Sequence, residues 1–231
     1  MESNEKALDR EFVLNRIYLC LLIIAVVGIV TAGLKLFLNI EVGNYINVSV
    51  QNGAYVQKGS GTFSINFAGV NNLTDSKVKL INICQGLRNG LGQIPMFIYA
   101  FLFIRLDNLK GMSSEEDASG LKLLRIGLLI HFCYMVVITF GFFQGVIKFA
   151  LLAILLFYIL GLIKLIKNGT IADKMVLKYI MTAVVATVNT TIISFLMFKP
   201  DDGFKAYAII SFILSILAYA SLILAYAKAR K

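Results

Sequence analysis

Between Ile17 and Ile40 the chain carries a single charged residue, Lys35. A helix rises about 1.5 Å per residue, so a run of this length covers the roughly 30 Å hydrocarbon layer of a bilayer. In lipid every backbone N–H and C=O must be paired within the protein, which leaves helices and closed barrels as the only spanning structures. The run exceeds the roughly 7–15 apolar residues of a secretory leader, and no small-residue cleavage site follows it. The expectation is a retained helix with its amino end in the cytoplasm. Gly28 and Ala32 lie four residues apart in it, a spacing that lets a neighbouring helix approach.

Five further apolar runs follow. The chain therefore divides into helices at 17–40, 89–109, 126–147, 148–166, 179–198 and 206–227. Around them lie an amino-terminal segment at 1–16, connectors at 110–125 and 167–178, an outer turn at 199–205 and a tail at 228–231. The charge-free core of the second run, Asn89 to Ile104, falls short of the usual ~20 residues and contains Pro95, which removes a backbone donor and crowds the preceding turn. Lys148 alone separates the third run from the fourth. Hydrophobic residues make up 58% of the chain and charged residues 15%. Little mass remains for a separate soluble enzyme domain.

The interval 41–88 differs in kind. Ile46, Val48 and Val50 alternate with polar residues, as do Phe63, Ile65 and Phe67. Alternation with period two marks half-buried strands, and Asn52-Gly53 is a hairpin signal because both residues tolerate positive φ. The predicted fold is thus an all-α polytopic six-helix transmembrane bundle with a small β-meander insert outside the cytoplasm, between the first two helices. Tyr45, Tyr55, Phe63 and Phe67 are the expected partner surface of that insert. Thr74-Asp75 predicts the cap of a helix leading into the second run.

The formal net charge is +9. The basic residues gather at the ends of apolar runs, where they set topology, and no soluble basic module suggests nucleic acid. With six spans and both ends inside, Lys and Arg are concentrated on the cytoplasmic side, which predicts a multi-pass protein of the cell membrane. The expected partners are the bilayer and either a protein partner or a second copy.

In the 110–125 connector, Ser113 and Glu116 fit a capping box, as do Thr170 and Asp173 in the next connector. The stretch Gly111-Met112-Ser113-Ser114-Glu115-Glu116, then Leu121 to Gly127 with Arg125-Ile126-Gly127, resembles the connector of a family of small bacterial membrane proteins known as a domain of unknown function. Its pattern is Gly-x-Pro-Phe-Ser-Glu-Glu, then Leu-Arg-x-Ile-Gly. This chain lacks the Pro-Phe pair and has extra spans. The resemblance implies a bacterial membrane protein and no activity.

Six polar residues within the runs could form an intramembrane site: Lys35, Gln93, His131, Asn189, Thr190 and Ser194. They could line a pocket of a small transporter or channel, or serve as interhelical hydrogen bonds. His131 could relay protons, but no Asp or Glu lies inside a run to partner it. Lys35 lies near the outer end, where its stem can reach the interface. Glu115, Glu116 and Asp117 complement the dipole of a helix start. Cys20, Cys84 and Cys133 suggest neither a disulfide framework nor a metal site. No nucleophile elbow, phosphate loop or zinc-protease motif is present, so neither a cofactor nor an enzymatic activity is expected. The expectation is a sensor, immunity or accessory subunit recognising its partner through the outer insert, with transport as the alternative.

Overall fold

A computed structural model describes residues 2–51, 75–139, 147–196 and 204–230. They form six helices: α1 (Glu2–Gln51), α2 (Asp75–Gly111), α3 (Glu115–Thr139), α4 (Ile147–Asn168), α5 (Lys174–Leu196) and α6 (Phe204–Ala229). Each contains a stretch long and apolar enough to cross a membrane. Phe97, Ile104 and Ile213 are more than half exposed. Such large apolar side chains on the outside suit a hydrocarbon surround.

The β-meander is not borne out. No strand occurs among the described residues, and Ile46 to Val50 belong to α1. A helix already nucleated by a membrane span gains one hydrogen bond per added residue, while a new strand needs a partner. Between Leu38 and Gln51 there is one glycine, Gly43, and no proline. Alternation over five residues could not outweigh that continuity. Tyr45 also falls in α1, whereas Tyr55, Phe63 and Phe67 lie outside the described residues.

At 50 residues, α1 is about 75 Å long and outruns any bilayer. Helix α2 starts at Asp75, where a helix was expected, and continues through Pro95 to Gly111. Its apolar stretch, Leu80–Gly111, is longer than the charge-free core alone suggests. Helix α4 begins at Ile147, so Lys148 sits in its first turn and is not itself the connection from α3.

Each helix packs on its neighbours in sequence, and α6 closes the circle on α1, with the α4–α5 contact the thinnest. The main core gathers Val13, Ile17 and Cys20 of α1 with Leu102, Leu106 and Leu109 of α2. Leu121, Leu162, Leu165, Ile171 and Leu177 complete it from the other side. A second cluster joins Ala25 of α1 to Ala183 and Ala186 of α5 and to Ala218 and Leu222 of α6. Small residues dominate this second cluster because lipid offers no hydrophobic drive for helix association, so close backbone approach and dispersion must supply it. Gly28 shows the limit: a Cβ there would lie 2.2 Å from the Tyr219 ring. This is the close approach that the Gly28–Ala32 spacing predicts. Between α3 and α4, Gly120 and Gly161 face each other so closely that a Cβ on either would come within 3.1 Å of the other's carbonyl oxygen.

The caps differ from the predicted boxes, by one residue at α3 and by three at α5. Ser114 caps α3: its Oγ accepts from Asp117 N at 3.3 Å and donates to Asp117 Oδ2 at 3.0 Å. Ser113 instead donates to Leu109 O. Asp173 caps α5, accepting from Met175 N at 2.7 Å. Thr170, released from that role, reaches the other connector.

Candidate functional site

The polar residues predicted to share a site differ in their surroundings. His131 on α3 is the one that organises its surroundings. Its Nδ1 and the Tyr158 hydroxyl of α4 share a hydrogen bond of 3.0 Å. The phenol donates when the neutral ring carries its proton on Nε2. Tyr99 of α2 stacks on the imidazole, with ring centroids 4.3 Å apart and planes inclined by 28°. Tyr134, one turn along α3, meets it edge-on at 6.1 Å. Tyr219 of α6 lies close enough to Tyr99 for the two phenols to interact electrostatically. One imidazole and four phenols thus join α2, α3, α4 and α6. No carboxylate enters the cluster among the described residues, so it holds hydrogen bonds without a charged acceptor. Sequence reasoning looked for an acidic partner and missed the tyrosines, whose positions on separate helices gave no local signal.

Gln93 is half-buried on α2 and is hydrogen-bonded or otherwise engaged. Thr190 donates to Ala186 O at 3.0 Å, a bond inside its own helix. Lys35 is exposed and borders a shallow groove between α1 and α6 with Ala32, Ala208, Ser211 and Ser215. Asn189 is exposed on α5, and the side chain of Ser194 lies outside the described residues. Of the six, Lys35 and Asn189 are exposed, while Gln93, His131 and Thr190 are half-buried.

Asn189 is informative by itself. It lies seven residues before Leu196 and fifteen after Lys174, about 10 Å and about 22 Å from the helix ends. Its amide has no hydrogen-bond partner among the described residues. The neighbouring threonines do have acceptors: Thr187 donates to Ala183 O at 2.9 Å and Thr191 to Thr187 O at 2.9 Å. Met175, Lys178, Thr182, Val185, Asn189 and Ile192 are all exposed. Their spacing of three and four residues puts them in one stripe along the helix.

The opposite feature is a buried charge. Asp117 is 2% exposed. Its Oδ1 accepts from Thr170 N at 3.1 Å and its Oδ2 from Thr170 Oγ1 at 3.1 Å. This latch ties the start of α3 to the loop between α4 and α5. Gly169 makes room for it, since a Cβ there would lie 2.6 Å from Asp117 Oδ1. At the same end Arg125 of α3 pairs with Asp107 of α2, and Lys228 of α6 lies 3.9 Å from Asp173. Among the described residues no three His, Cys, Asp or Glu side chains gather as metal ligands.

No family model, no curated protein and no solved structure matches this chain.

Proposed function

We propose that this is a non-catalytic integral membrane protein of the sensor, immunity or accessory-subunit type, which works by helix–helix association inside the bilayer. The observation that carries the reading is the Asn189 amide, which has no hydrogen-bond partner among the described residues, on the exposed stripe of α5. An amide facing hydrocarbon without a partner is costly, and a polar residue amid an apolar seam favours association that satisfies it. The occupant we assign to the stripe is α5 of a second copy. Copies inserted in one orientation run parallel, which sets Asn189 level with Asn189. An amide carries both donor and acceptor, so the pair is self-complementary. Val185 and Ile192 flank it with apolar contact, and Lys178 extends toward the headgroups.

The end of the bundle that holds Arg16, Arg105, Arg125, Lys167 and Lys228 faces the cytoplasm in this proposal, following the excess of basic residues there.

Single-molecule photobleaching in liposomes tests the association. Two amide hydrogen bonds at about 0.6 kcal/mol each correspond to roughly tenfold in dimer affinity. Asn189→Leu should therefore shift the population toward single bleaching steps, while Asn189→Gln keeps dimers. Wild-type protein that is monomeric at every density, or Asn189→Leu dimers as stable as wild type, would refute the proposal.

A further inference from the structure

Three arginines from adjacent helices, Arg16, Arg105 and Arg125, lie at one end of the bundle, and among the described residues only one of them has a carboxylate partner. Arg125 pairs with Asp107. Arg16 and Arg105 have no ion pair among the described residues. Ile17 and Cys20 of α1 pack in one core cluster with Leu102 and Leu106 of α2, so Arg16, next to Ile17, and Arg105, next to Leu106, stand beside the same α1–α2 seam. The Nε of Arg105 is buried and makes no hydrogen bond. The guanidinium of Arg105 lies 4.7 Å over the Phe101 ring, and that of Arg16 lies 5.0 Å over Phe12. Stacking holds each guanidinium while leaving its N–H groups available.

Arg16 stands immediately before the apolar run that begins at Ile17, and Arg105 follows the run that ends at Ile104. Both therefore lie at the border between hydrocarbon and headgroups. Toward the hydrocarbon, Leu19 and Ile23 of α1 and Phe97, Phe101 and Ile104 of α2 are exposed. The arrangement is two unneutralised guanidinium groups above an apolar surface, at the depth of a phosphate.

We propose that Arg16 and Arg105 form a phosphate-ester site at the α1–α2 seam that holds the headgroup of an anionic phospholipid, its acyl chains lying along Phe97, Phe101 and Ile104. Guanidinium groups bind phosphate oxygens through paired N–H donors. Basic pockets between transmembrane helices bind anionic headgroups in this way. The site is separate from the α5 stripe and does not depend on it.

The test uses the full chain in nanodiscs of phosphatidylcholine with increasing phosphatidylglycerol, read by lipid retention in native mass spectrometry and by thermal unfolding. Wild type should retain phosphatidylglycerol over phosphatidylcholine and unfold at higher temperature as its share rises. Arg16→Gln and Arg105→Gln should each weaken retention at least fivefold, while Lys167→Gln, an exposed charge at the same end, should leave it unchanged. Arg105→Lys keeps the charge but loses the planar donor pair, so it should fall between wild type and Arg105→Gln even if the latter folds poorly. Millimolar inorganic phosphate added to phosphatidylcholine discs separates the two sources of phosphate and should not stabilise the protein. Equal retention by all variants, an equal loss in Lys167→Gln, or full stabilisation by inorganic phosphate would overturn the assignment.

Discussion

Replacing Asp117 with alanine should loosen the end of the bundle where the two connectors meet. The carboxylate receives three donors: the Thr170 N–H at 3.1 Å, the Thr170 hydroxyl at 3.1 Å and the Ser114 hydroxyl at 3.0 Å. A hydrogen bond to a charged group contributes about 1.5–3 kcal/mol, but simple addition overstates the loss. Ser114 and Thr170 are exposed positions, so both hydroxyls regain water when the carboxylate goes. Burying the charge also carries its own desolvation cost. What remains is the Thr170 N–H bond, about 1.5–3 kcal/mol, and the favourable charge in the first turn of α3, about 0.3–1 kcal/mol. The expected destabilisation is therefore about 2–4 kcal/mol. Thr170→Val removes one hydroxyl and should cost about 1 kcal/mol. The assay is reversible unfolding in mixed micelles, run as a double-mutant cycle. If the latch acts as described, the two substitutions are non-additive by more than about 0.5 kcal/mol. An Asp117→Ala protein as stable as wild type, or strict additivity, would refute the reasoning.

Two further outcomes are expected beside those at Asn189 and the arginine pair. Gly28→Val places carbon where the Tyr219 ring lies, at 2.2 Å, and should destabilise the α1–α6 seam by about 1–3 kcal/mol; Tyr219→Ala in the same chain should restore part of the loss in the same unfolding assay. His131→Phe breaks the 3.0 Å bond to Tyr158 and leaves a half-buried phenol unpaired, at about 1–3 kcal/mol; adding Tyr158→Phe should then cost less than it does alone.

Run length and charge placement were enough to find six membrane-capable helices, because the bilayer imposes a length on each apolar stretch. The small-residue seam at Gly28 was readable for the same reason: only a glycine admits an aromatic ring at that distance. What escaped depended on distant parts of the chain. Asp117 looks like Glu115 and Glu116 in sequence, yet it alone meets Thr170, 53 residues away. His131 found a phenol on α4, and no local spacing announces such a partner. Asn189 and Thr190 read as one polar band, although adjacent helical residues point about 100° apart. One hydroxyl turns back to its own helix, and the amide turns outward. The stripe that includes Asn189 was present in the spacing from Met175 to Ile192, hidden because its members mix polar and apolar types. The alternation at Ile46 to Val50 misled because so short a pattern says nothing about the helix that precedes it.

Closure of α6 on α1 also bears on how the protein is made. Gly28 and Tyr219 are separated by 191 positions, which at about 5–20 residues per second is roughly 10–40 seconds of synthesis. Throughout that interval the first segment waits in the lipid with Gly28 not yet covered by Tyr219. A ribosome that stalls before Tyr219 releases a product whose opening helix lacks its final neighbour, a defect that membrane quality control could recognise.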